Sequence, residues 1–135
     1  MYLNDLNDAQ KTLVLDLLIQ AIPENWQNDP DSRARIERIC AEMGVTPRYS
    51  EQLVDLAALP MLVEISNTVT LRKVLVELAI LAMPFLEHET MVRVFTDKYA
   101  PLTGLQQSEF EEILRLLEEI ARASQRLDEL VNEPV

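Results

Sequence analysis

Glycine is almost missing from this chain. Of 135 residues only two are glycine, Gly44 and Gly104, so neither a GxGxxG nor a GxxxxGK phosphate loop can be formed. Cysteine and histidine occur once each, as Cys40 and His88. That excludes an intrachain disulfide and a structural zinc site built from this chain alone. Positive charge is also scarce. Twelve Lys and Arg stand against 23 Asp and Glu, a formal charge of −11. Residues 1–67 hold 5 basic and 11 acidic side chains and residues 68–135 hold 7 and 12, so no basic tail is set aside for nucleic acid or an anionic membrane. Long apolar runs are lacking too. The longest, Leu78 to Leu86, spans nine residues and contains Pro84, against the roughly 20 a membrane span requires. The start, Met1-Tyr2-Leu3-Asn4-Asp5, has no positive segment followed by an apolar one, so no secretory signal is read. Cytoplasmic residence and no direct membrane insertion are the expectations, and a lone thiol agrees with them.

What the chain does have is 48% hydrophobic residues, enough for the core of one domain over 1–135. Prolines and caps divide it into helices. Asn7, with Gln10 three residues on, makes a capping box for a first helix from Asp8 to Ile22. Asp29-Pro30, an N-cap and a first-turn proline, opens a second helix that Gly44 stops. Thr46-Pro47 opens a third to about Ala58, and Pro60 a short fourth segment to about Ser66. Asn67 or Thr68 caps a fifth ending at Met83, and a sixth covers Glu87 to Ala100. Ser108 and Glu111 read as a capping box for a long final helix, about 109–132. Period-2 alternation and Asn-Gly or Asp-Gly turns are lacking, so the fold class is all-α with about seven helices.

The first and fifth helices align at an offset of 61. Leu17/Leu78, Ile19/Ile80, Ala21/Ala82 and Pro23/Pro84 are identical, and Lys11/Arg72 and Asp16/Glu77 keep their charge. An internal repeat of about 7–45 and 68–105 is the reading, with these two nearly all-apolar helices as the central pair. Leu17, Leu18 or Ile19 should meet Leu78 and Ile80 there.

The segment Leu6 to Val45, with Leu-Asn-Asp-Ala-Gln-Lys before an apolar helix and Glu-Met-Gly-Val closing the next, resembles the tellurite-resistance protein B-like family. So does Arg72 to Tyr99, where Arg-Lys-Val-Leu-Val-Glu-Leu-Ala-Ile-Leu-Ala-Met precedes an acidic loop. The resemblance covers roughly residues 3–120. It implies an all-helical fold with an internal repeat and an Ala-Asp-Gly-Glu motif, associated with divalent cations, after each core helix. This chain has Pro23-Glu24-Asn25-Trp26 and Pro84-Phe85-Leu86-Glu87 instead. The resemblance therefore implies a degenerate member acting as a protein–protein interaction module, with a link to stress response. A Ca²⁺- or Mg²⁺-binding module is the alternative.

Glu24, Asp29, Asp31, Glu87 and Glu89 are the oxygen ligands such a metal would use. They lack calcium-loop spacing, and acids at helix starts already complement the macrodipole. Asp16 and Glu77, carboxylates inside apolar helices, would make an acid/base or di-metal pair conceivable if both were buried and close; the preferred reading is a narrow solvated stripe with Thr12, Gln20 and Lys73. No catalytic residue, cofactor or reaction is implied. His88 reads as a first-turn polar residue and Cys40 as an inert core thiol. Trp26 either tucks under its polar loop or anchors a partner. In the last helix, Phe110, Ile113, Leu117, Ile120, Ser124, Leu127 and Val131 follow a 3,4 repeat, with Leu130 beside it. Its first half should pack on the domain. Its second half, with Leu127, Leu130 and Val131, either folds back, the preferred reading, or offers a strip to a protein partner or to a second copy in a homodimer.

Overall fold

The computed structural model describes residues 2–20, 28–47 and 58–133. Among these the chain is all-helical, with no strand. A 3-10 turn at Leu3–Asp5 precedes seven helices: α1 (Asp8–Gln20), α2 (Pro30–Met43), α3 (Ala58–Glu64), α4 (Thr68–Ala82), α5 (His88–Lys98), α6 (Ala100–Thr103) and α7 (Gln107–Asn132).

Local chemistry sets most boundaries. The Asn7 amide donates to Gln10 Oε1 at 3.0 Å and the Gln10 amide donates to Asn7 Oδ1 at 2.9 Å, closing the capping box at the start of α1. Asp29 caps α2 with Pro30 in its first turn, and Gly44 ends it at φ +72°, a left-handed conformation that L side chains rarely adopt. Asn67 caps α4 by accepting from the Thr70 amide at 2.8 Å.

Three boundaries differ from the sequence reading. Pro60 is the third residue of α3, Ala58–Glu64, rather than its first. The chain turns between Lys98 and Ala100, so α5 and α6 are separate. The final capping box is Gln106 with Glu109, not Ser108 with Glu111, and α7 starts at Gln107. The expected helix after Pro47 falls largely outside the described residues.

α1 and α4 pack against each other and carry most of the core. Leu13, Val14, Leu15, Leu17, Leu18 and Ile19 of α1 are buried, as are Leu71, Val74, Leu75, Leu78, Ala79, Leu81 and Ala82 of α4. Helices this apolar around their circumference cannot face water over much of it. Ile80 departs from expectation, being 36% exposed. At 100° per residue it sits 200° round the helix from Leu78, on the side turned away from that core. α2 and the 3-10 turn cover one side of this pair, α3 packs on α1, and α6 on α4. α5 and α7 join through Phe95 and Phe110, whose rings stack at 5.5 Å with 7° between planes. Longer ties run through polar atoms. Gln10 Nε2 donates to the Ile65 carbonyl at 3.3 Å, and Arg72 Nε donates to the Thr103 carbonyl at 2.8 Å.

Candidate interaction surface

α7 is two helices in one. Its first half is anchored by Phe110, Leu114 and Leu117, all buried, with Ile113 packed against them. From residue 119 to residue 133 every side chain is exposed. The second half therefore does not fold back on the core. Leu127, Leu130 and Val131 are 61%, 53% and 72% exposed. Ile120 and Leu116 are exposed as well. Together they form an apolar strip on a helix that projects beyond the domain, a feature that a chain with ample polar surface has no packing reason to keep.

The strip keeps the expected register in part: Ile120, Leu127 and Val131 lie on it, and Leu116 and Leu130 lie to one side. The buried half uses Phe110, Ile113 and Leu117. The exposed large residues Leu116, Ile120, Leu127 and Leu130 fall with Ala123 on their own 4,3,4,3 spacing, rotated toward one flank. Leu116 stands one residue, and so 100° of helix, from buried Leu117, so the apolar residues of α7 occupy two adjoining flanks, one covered and one exposed. Ser124, which breaks the expected seam, lies beside this one.

The acidic candidates do not converge. Among the described residues no group of three or more His, Cys, Asp or Glu side chains is gathered for a metal. Asp29 is occupied in capping: its Oδ2 accepts from the Ser32 hydroxyl at 2.6 Å and from the Ser32 amide at 3.3 Å. The hydroxyl hydrogen bond is the main cause holding its carboxyl below the usual 3.8. A depressed native pKa makes the capping stabilisation complete above the unfolded carboxylate's pKa and lost as pH falls through the native value. Asp29→Asn, which can still cap but does not titrate there, should therefore show a shallower loss of stability in acid melts followed by circular dichroism. An unchanged slope would remove Asp29 from the acid response. Asp31 sits in the first turn of α2. Glu87 precedes α5 and Glu89 lies in its first turn, both exposed. Glu24 and Trp26 lie outside the described residues.

His88 does have a partner: its Nδ1 lies 2.6 Å from Glu118 Oε1 on α7. His88 also lines a cleft of about 860 Å³ between α5 and α7, with Arg93, Asp97, Ser108 and Arg115. Ser108 lies ten residues before Glu118, about 15 Å along the helix. No hydrogen bond joins Ser108 to the ring among the described residues, so the three do not form a nucleophile–base relay.

The two helix-embedded carboxylates are buried, against the expected solvated stripe. Asp16 is 6% and Glu77 7% exposed. Glu77 Oε1 accepts the Tyr2 amide at 2.6 Å, while Lys73 Nζ reaches Asp5 Oδ2 at 2.8 Å and sits 5.8 Å from the centre of the Tyr2 ring. The acid on α4 thus straps the N-terminal segment over the helix. Beside it a smaller groove of about 450 Å³ is bounded by Arg35, Arg38, Ile39 and Ile80, with Arg35 5.3 Å above the Phe85 ring. Cys40 is fully buried. No helix among the described residues is long and apolar enough to cross a membrane.

No family model, curated protein or solved structure matches this chain.

Proposed function

We propose that this chain is a non-enzymatic protein–protein interaction module whose docking element is the second half of α7. The observation that carries the reading is the fully exposed run 119–133 bearing Ile120, Leu127, Leu130 and Val131 on a helix held to the domain by its other half. Apolar side chains on a surface helix are driven to cover by the hydrophobic effect, and helix-in-groove or helix–helix pairing is the usual solution. The chemistry of the strip favours protein over other partners. Its charged residues are Glu119, Arg122, Arg126, Asp128, Glu129 and Glu133, a net negative set. Helices that lie in a lipid interface carry Lys and Arg there, and phosphate backbones require the same. Residence in the cytoplasm fits a chain with one buried thiol. A part in a stress response rests on the resemblance of Leu6–Val45 and Arg72–Tyr99 to the tellurite-resistance B-like proteins.

The test is co-purification from native lysate with quantitative mass spectrometry, comparing the natural chain with Leu127→Glu/Leu130→Glu. Both positions are more than half exposed, so the variant should melt within roughly 2 °C of the natural chain, as surface substitutions do. Its specific partners should be lost. An unchanged partner set at unchanged stability would remove the strip from the function.

A further inference from the structure

We infer that the occupant of the strip is a second copy of this chain, and that the two α7 helices pair antiparallel about a two-fold axis near residues 121 and 122. This rests on the reading of α7 as a docking element and says what docks there. Leu116, Ile120, Ala123, Leu127 and Leu130 are the exposed seam, spaced as a coiled-coil core is spaced. Three pairings of that seam with itself are worth comparing, and packing and charge separate them.

In a parallel pair every residue faces its own copy. Ala123 would meet Ala123, leaving a thin central layer where protein interfaces are normally close-packed. Two domains, each of net charge −11, would also stand side by side at the same end. In an antiparallel pair with Ile120 opposite Leu130, the flanking positions set Arg126 against its own copy and Glu119 against Glu133. Like charges so placed oppose association. Sliding that pair by one heptad toward the domains removes the Arg126 clash and moves Glu133 beside Glu112 of the second copy, beyond the last apolar layer at Leu130. Leu116 then faces Leu127, and Ile120 faces Ala123, large against small, each layer occurring twice by symmetry. Glu119 comes beside Arg126 of the second copy on both sides. In the single chain these two side chains hold only exposed helix neighbours, Arg115 at 2.8 Å and Glu129 at 3.3 Å, so re-pairing displaces little. Leu130 reaches Ile113 of the second copy, which is partly buried at the edge of that copy's domain.

The paired stretch runs from residue 113 to residue 130, about 27 Å of helix. That is below the roughly 20–30 residues per side of a standard interface, so a dissociable dimer with a Kd of about 1–100 µM is expected.

Analytical ultracentrifugation of the full chain between about 1 and 500 µM, a range set to bracket that Kd, tests it. A monomer–dimer equilibrium is expected, and Leu127→Glu should leave a monomer with the same circular dichroism and, well below the dimer's Kd, the same melting temperature. Glu119→Arg and Arg126→Glu should each weaken the dimer roughly threefold or more, and the double reversal should restore it, because only the register proposed here sets these two side chains against each other. A monomer at every concentration, or a dimer indifferent to Leu127→Glu, overturns self-association. A dimer that Leu127→Glu breaks but the double reversal does not restore overturns the register. If the chain stays monomeric while Leu127→Glu/Leu130→Glu still loses its lysate partners, self-pairing falls and the docking role of α7 stands.

Discussion

Leu78→Ala should lower the free energy of unfolding by about 2–5 kcal/mol, measured as a shift of the urea midpoint at unchanged slope. Leu78 is 3% exposed on α4 and helps to line a void of only about 10 Å³, closed by Leu59 and Leu62 of α3, Leu71 and Leu75 of α4, and Leu102 of α6. Removing a buried side chain costs the transfer of its methyl and methylene groups from water, and more if the walls cannot collapse. Here the walls belong to three helices, each held by its own cap or tie, so collapse is restricted and the cost should lie high in that range. Ile80→Ala is the matched control. Two residues on but 36% exposed, it should cost under about 1.5 kcal/mol. Equal losses at the two positions would mean that α4 is not oriented as described.

That contrast shows which parts of the fold were legible. Helix ends were readable because caps act over three or four residues. Asn7 with Gln10, Asp29 with Pro30, Gly44 and Asn67 do in space what their spacing implies. The final helix shows the limit of that logic. Gln106/Glu109 and Ser108/Glu111 both satisfy the capping-box spacing, and the first pair won although Ser is the usual cap. The apolar character of α1 and α4 marked the central pair, and aligned residues such as Leu17 and Leu78 share burial, but one pair does not. Ile19 is 4% exposed and Ile80 36%, because different elements cover the two helices.

Candidate sites were less legible because their partners are remote. Glu77 sits on what looks like a polar stripe, and nothing local says that Tyr2, 75 residues earlier, will cover it. His88 has no neighbour in sequence that predicts Glu118, 30 residues on. The apolar content of the last helix was plain, and Leu127, Leu130 and Val131 were identifiable as candidates. Whether they turn inward depends on whether a wall exists opposite them, and periodicity carries no information about that. The 3,4 repeat runs on through Ile120, Leu127 and Val131, but its burial ends near Leu117, and Leu116 and Leu130 widen the exposed part to one flank.

Phe110→Ala should be the most damaging single change in α7, costing about 3–5 kcal/mol by urea denaturation. The ring is fully buried one turn into the helix and stacks on Phe95 at 5.5 Å, while Phe95 in turn lies 5.2 Å from Tyr99. The loss therefore includes a cavity and an aromatic pair worth about 0.5–1.5 kcal/mol beyond its area. The effect should also reach the far end of the helix. Burial in α7 is confined to its first half, at Phe110, Ile113, Leu114, Leu117 and Glu118, and a free helix as short as the projecting stretch is marginal in water, so residues 119–132 keep their helical form by extension from the anchored half. Weakening the anchor at Phe110 should speed amide hydrogen exchange along the whole of α7 before α1 and α4 respond. Leu127→Glu, at the other end, should leave exchange in the anchored half unchanged when both proteins are compared well below the dimer's Kd. If Phe110→Ala instead raises exchange uniformly through every helix, α7 and the central pair unfold as one cooperative unit and the projecting half has no independent dynamics to offer a partner.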